Sequence, residues 1–440
     1  MQALGSAKIF RQRRLGIAVY ARGGVRGNIL NYRRFRRMYC FICKNKHLFK
    51  FLDLGDQPPS DAFLRKEDLE RPEAKYPLSL YFCEECTLVQ IGFVVDPKIL
   101  FRDYVYTTGM NNSLRANFKA LVETLVSRYA LTKSDFVIDI GSNDGTLLAN
   151  YTPHGVNVLG IDPSSASTLA KDKGIPTEVD FFNERTALRV ERKYGKAKVI
   201  TATNVFAHVN DLDSFMRGIT AVLREDGVFV SESGYLLDMV LTLGYDAIYH
   251  EHLRYYSLRP LKALFERFGM EVFDVERIQS HSGSIRVYAA FNGVHPTKAS
   301  VGELLALEEK KGLYARQTFI EFARRVYAHR DALTVLLADV KKSGKRIVGI
   351  GAPAKGNTLL NFCGIIPETV NCILEKSALK IGLFTPGMHI PVVGEERLFA
   401  EQPEYALILA WNIAPELMSK LRQKGFKGKF IIPFPRVKIV

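Results

Sequence analysis

The chain has 440 residues, 47% hydrophobic and 24% charged, a composition that suits a folded protein of about three domains at ~150 residues each. It holds no apolar run of the ~20 residues that a membrane span requires, which excludes a helical membrane protein. The net charge of +15 invites a nucleic-acid partner, but ten Lys and Arg lie in residues 1–38, which carry no acid, so the excess is largely one tail and no nucleic acid is expected.

That tail lacks an apolar stretch of signal-peptide type. It is expected to be a mis-set start with Met38 the true first residue, or else a disordered basic arm or transit-type segment. Residues 39–102 form a short, turn-rich domain with strand-like Leu78–Phe82 and Thr87–Phe93. It carries two pairs, Cys40-x-x-Cys43 and Cys83-x-x-Cys86. Two thiolates at that spacing grip one tetrahedral metal, and four leave no open position, so the expectation is a structural zinc ion. Disulfides are the other reading, but nothing indicates an oxidising compartment, and a cytoplasmic protein is expected. Cys363 and Cys372 occupy apolar positions and read as core.

Residues 103–295 form the second domain. Residues 103–135 read as a helix with Phe118, Leu121, Val122, Leu125 and Val126 on one face. Phe136–Ile140, Val156–Ile161, Lys198–Thr201 and Gly227–Ser231 then read as buried strands alternating with helices, which argues a parallel, doubly wound α/β sheet. The first strand ends in Val-Ile-Asp-Ile-Gly-Ser-Asn-Asp-Gly-Thr at 137–146. Its glycines permit a tight turn at the carboxyl end, where such sheets bind ligands. The dinucleotide pattern G-x-G-x-x-G is absent, and the turn resembles the first motif of S-adenosylmethionine (SAM) methyltransferases. Asp162, 21 residues past Gly141, suits the ribose hydroxyls. Asp139 and the turn Gly141, Asn143 and Gly145 would face the methionine portion, and Asn204 closes the strand beside the crevice.

Residues 249–257 read Tyr-His-Glu-His-Leu-Arg-Tyr-Tyr-Ser. His250 and His252 are i, i+2, so a helix would not present both on one face and a zinc protease is disfavoured. Two His and one Glu in a polar loop suit acid–base work near neutral pH. The plainer reading is a hydrogen-bonded cluster that caps the next helix.

The pattern breaks near Gly293–Pro296, and residues 296–440 form the third domain. One long charged helix is expected over about 301–343. A second α/β unit follows, with strands Arg346–Ile350, Val370–Leu374, Tyr405–Leu409 and Lys429–Ile432. Its Gly351–Gly356 loop is followed by Asn-Thr, so it is not a P-loop.

From about residue 39 to the end, the chain resembles the SAM-dependent sugar C-methyltransferases of deoxysugar biosynthesis. The resemblance rests on the two Cys pairs, Asp53–Phe63, Tyr76-Pro-Leu, Cys83–Gln90, Asp139–Leu148, Tyr249–Ser257, His281–Arg286, Gly349–Asn361 and Lys380-x-Gly-x-x-Thr-Pro-Gly-Met-His-Ile-Pro391. It implies a zinc-binding domain, a central Rossmann-like SAM domain, and a second Rossmann-like domain that binds no SAM. A nucleotide-linked 4-keto-deoxysugar would be methylated at the carbon beside the ketone, C3, through an enolate. The resemblance makes His252 the general base with Tyr249 and Glu251 as partners, and lets Tyr104 or Tyr106 bond the sugar or the enolate oxygen. His281, Ser284, Arg286 and Lys355 would contact the diphosphate. The reading leans to a monomer. The alternative activity is O- or N-methylation of another small metabolite, which needs no enolate-forming base.

Overall fold

The computed structural model describes residues 38–100, 108–110, 112–279 and 283–440. Their strands form three sheets in chain order. The front sheet takes β1 (Leu48–Gln57), β2 (Tyr76–Cys83) and β3 (Val89–Ile91), all antiparallel. Leu52, Leu54, Leu80 and Phe82 are buried, and Phe82 packs on Phe319 of a distant helix with ring centroids 4.6 Å apart.

The central sheet comprises β4 (Phe136–Ile140), β5 (Asn157–Ile161), β6 (Thr177–Glu178), β7 (Ala197–Thr203) and β8 (Leu223–Gly234), which run parallel. A two-residue strand, β9 (Arg254–Tyr255), leaves this domain and pairs with β3 of the front sheet. β10 (Met270–Ile278) and β11 (Ser284–Phe291) return antiparallel to the central sheet, whose order is β10-β11-β8-β7-β4-β5-β6. Strand order reverses between β4 and β7, which opens a crevice at their carboxyl ends. The apolar residues of β4 and β7 past Phe136 are buried, as strands covered by helices on both faces require.

The third sheet is β12 (Ile347–Ile350), β13 (Ile373–Glu375), β14 (Val392–Gly394), β15 (Tyr405–Ile408), β16 (Lys429–Ile432) and β17 (Lys438–Ile439). Its order is β14-β13-β12-β15-β16-β17, parallel except for β17, a second Rossmann-like unit.

The single helix expected over 301–343 is instead two, Ala299–Lys310 and Arg316–Lys342. Gly312 between them takes φ +69°, where a glycine carries no Cβ penalty. The break lets Leu313 enter the core and lets buried Glu308 accept from Tyr235, Tyr314 and the Leu258 N–H. No helix among the described residues is long and apolar enough to cross a membrane.

Candidate active site

The four paired cysteines converge. Cys40 and Cys86 Sγ are 3.4 Å apart, Cys43 and Cys83 Sγ 3.5 Å, and all four ligand atoms lie within 4.8 Å of one another. The edges of a tetrahedron with Zn–S near 2.3 Å are about 3.8 Å, so the thiols fit a zinc ion. Both pairs are built alike: a left-handed residue, Lys44 at φ +63° or Thr87 at +64°, bonds its N–H back to the first Cys carbonyl. Thiol hydrogen bonds from Cys40 and Cys86 draw the Cys83 thiol down, while the same contacts raise Cys40 and Cys86, whose protons a bound metal would displace.

The crevice is shaped by the turn after β4. Gly141 takes φ +69°, and a Cβ there would collide with the Val205 side chain. Asn143 also has positive φ, and its N–H donates to Asp162 Oδ2 at 2.8 Å, locking the turn to the end of β5. The other carboxylate oxygen of Asp162 accepts the Ser164 N–H at 2.7 Å. Gly145 closes the turn by donating to the Ser142 carbonyl, and Asn204, at φ +58°, donates its N–H to the Glu232 carbonyl. Asp139 is buried and accepts from the Thr201 hydroxyl at 2.6 Å. Burial pushes its carboxyl up to about 7, against the Thr201 bond, and the charge of Asp162 adds to the rise. A cation beside it would restore the charged form. SAM offers both complements, an ammonium group for a buried acid and a ribose diol for an acid at the next strand end, so these residues fit it.

At the same end of the sheet lies the loop 249–252. The Tyr249 hydroxyl is 2.8 Å from His252 Nε2, and His252 Nδ1 is 2.9 Å from the Ala247 carbonyl. A carbonyl only accepts, so neutral His252 carries its proton on Nδ1 and presents the Nε2 lone pair to Tyr249. The His208 ring stands edge-on to His252 at 4.9 Å, and burial with the neighbouring imidazole holds its pKa well below the ordinary value. His250 points elsewhere: its Nε2 donates to the Tyr76 carbonyl of the front sheet, and burial lowers it to about 4. Glu251 is buried, and its carboxyl is pushed up to about 8 by burial, with Asp61 adding and Lys380 opposing. Asp61 from the front domain and Lys380 from the third domain pair at 3.1 Å.

Of the four residues assigned to the diphosphate, three are described: Ser284 and Arg286 lie two positions apart on β11, and Lys355 lies in the third domain. Arg286 is buried and turned inward, with Nη2 2.9 Å from Glu232 Oε2 and 2.9 Å from Asn117 Oδ1, so its fork is committed within the central domain. Ser284 is fully buried at the start of β11. Lys355 lies in the first turn of helix Ala354–Phe362, with Nζ 2.6 Å from Asn412 Oδ1 and 4.7 Å from the Trp411 ring centroid. The expectations for Tyr104, Tyr106 and His281 fall outside the described residues. His208, Asp61 and Lys380 were given no role from the sequence, Asp61 and Lys380 entering only within the blocks that carry the family resemblance. His208 lies four residues after Asn204, in the short helix Phe206–His208 that follows the same strand, which was its available signal.

A doubly wound domain with this crevice, joined to a thiol-rich zinc domain, defines a SAM-dependent methyltransferase. Three family profiles match in succession: a zinc binding domain at residues 40–101, a methyltransferase domain at 113–275, and a C-methyltransferase C-terminal domain at 279–435. The chain is 33% identical over 406 residues to C-methyltransferase NovU of Streptomyces niveus, covering 91% of this chain and 96% of that one. The chain belongs to this family of SAM-dependent C-methyltransferases with a zinc-binding domain. Among solved structures, a SAM-dependent methyltransferase of Anabaena variabilis matches at 12% identity and TM-score 0.34, over 40% of this chain and 86% of its own. Magnesium protoporphyrin IX methyltransferase of Synechocystis with bound S-adenosylhomocysteine matches at 13% identity and TM-score 0.33, over 40% and 83%.

Proposed function

We propose that the enzyme methylates the carbon beside the ketone, C3, of a nucleotide-linked 4-keto-deoxysugar. The observation that carries this reading is the Tyr249–His252–Ala247 chain, with a basic Nε2 held 2.8 Å from a phenol hydroxyl. The hydrogen on a carbon beside a ketone is acidic enough for an imidazole to remove once the developing enolate oxygen is hydrogen-bonded. The Tyr249 hydroxyl turns from Nε2 to the substrate oxygen, which frees the single Nε2 lone pair of His252 to take that proton. SAM, held by Asp139, Asp162 and the 141–145 turn, would supply the methyl group to the enolate carbon, its sulfur keeping the bonding pair. Glu251, kept neutral by burial, is a hydrogen-bond donor for a sugar oxygen rather than a second base. Lys355 is the cation in the third domain best suited to the diphosphate.

The test is a panel of nucleotide-linked 4-keto-deoxysugars incubated with SAM and read by mass spectrometry. The reading expects one added methyl on carbon. A methyl appearing on oxygen or nitrogen, or no turnover of any 4-ketosugar, contradicts it.

A further inference from the structure

The segment that precedes the catalytic loop is gripped residue by residue by the third domain. The Tyr245 hydroxyl is 3.1 Å from His329 Nδ1, on helix Arg316–Lys342, and His329 Nε2 is 2.6 Å from the Pro433 carbonyl. The carbonyl requires a proton on Nε2, so Nδ1 accepts from Tyr245. Asp246 is buried, and its Oδ2 accepts from the Trp411 indole N–H at 2.5 Å. The Ile248 carbonyl accepts from the Thr358 hydroxyl at 2.9 Å. Between these two anchors lies Ala247, whose carbonyl receives the His252 Nδ1–H. On the far side of the loop, β9 is stitched to the front sheet through β3.

We propose that Trp411 and Thr358 are positioning residues for His252: by fixing Asp246 and Ile248 they aim the Ala247 carbonyl that sets the tautomer and orientation of the imidazole. This rests on the reading of His252 as the base. The direction of a peptide carbonyl is set by the backbone torsions around it, and both neighbours of Ala247 are tied to another domain. The group bonded to the far nitrogen of a histidine decides which nitrogen is basic and where it points. The third domain thus does more than complete a substrate cleft, because the geometry of the base depends on its docking. Ordinary domain packing would also place contacts here, so the test needs a readout that packing alone does not move.

Trp411→Phe keeps an aromatic ring against Phe434, whose centroid is 5.0 Å from that of the indole, and removes the N–H donor together with part of the ring that Lys355 faces, so KM toward the nucleotide sugar is read separately from kcat. Thr358→Val, on a separate helix, removes the hydroxyl at similar volume. Both full-length variants are compared with wild type for kcat, for KM toward SAM and the nucleotide sugar, for melting temperature, and for deuterium uptake at the carbon beside the ketone without SAM. We expect kcat and deuterium uptake to fall together by about 10–100-fold, with KM for SAM and the melting temperature held. Wild-type kcat and uptake in both variants, alongside loss of uptake in His252→Asn, overturns the positioning role and leaves the base assignment standing. Retained uptake in His252→Asn overturns the base assignment and the positioning role with it. Loss of kcat, SAM binding and thermal stability together in both variants marks structural contacts and also overturns the proposal. Two variants on separate elements keep the test decisive if one folds poorly.

Discussion

Arg286 lays Nε and Nη2 on one oxygen of Glu232, at 3.1 and 2.9 Å, in an ion pair whose side chains are 6% and 0% exposed. The pair joins β11 to β8 at the register position where the two residues face each other. Breaking such a pair leaves one charge buried and uncompensated, a cost of about 3–5 kcal/mol. Arg286→Met is therefore expected to lose most of that amount in a urea unfolding curve. A variant of wild-type stability with a raised KM for the nucleotide sugar would return Arg286 to the diphosphate.

Glu251 links stability to pH. Its carboxyl sits at about 8 in the folded protein, against an ordinary value of 4.5. Below about 4.5 both folded and unfolded chains are protonated, so the group has no effect on stability. Between there and about 8 the unfolded chain ionises while the folded one stays neutral, and stability falls as pH rises. Glu251→Gln removes this loss. Its melting temperature is expected to gain on wild type by ~2–4 °C between pH 5 and 8. A constant difference across that range would show that Glu251 is already ionised when folded.

The zinc cluster should govern the active loop, because β3, which follows Cys86 closely, pairs with β9, which follows His252 closely. Cys83→Ser is expected to lower zinc content well below one ion per chain and to reduce kcat by at least ~10-fold, while Cys372→Ser keeps its metal. Metal analysis of the purified variants beside steady-state kinetics checks both. Full zinc content in Cys83→Ser would contradict the four-thiol site.

The parts legible in the sequence were those carried by backbone pattern and short spacing. The apolar run into Gly141, Asp162 one strand later, and the two C-x-x-C pairs were readable because few residues separate their members. β10 and β11 were not recognised. Their apolar runs are interrupted by Asp274, Glu276 and Arg286, and only the fold shows that Asp274 is paired with Arg128 and Lys298, and Arg286 with Glu232 and Glu276. The same blindness led to the diphosphate role for Arg286, since spacing does not tell which face of a strand meets solvent. Lys380 and Asp61 lie 319 residues apart and meet only where the first and third domains close on Glu251. The helix break at Gly312 lay within a charged run that otherwise reads as continuous helix.

The central claim is that His252 removes a proton from the carbon beside the ketone before the methyl arrives. Incubating the enzyme with a nucleotide-linked 4-keto-deoxysugar in deuterium oxide, without SAM, isolates that step. The account expects deuterium at that carbon with the wild-type enzyme, and uptake slower by about 10²–10⁴-fold with His252→Asn. No uptake by the wild type, together with unimpaired methyl transfer by His252→Asn, would contradict it.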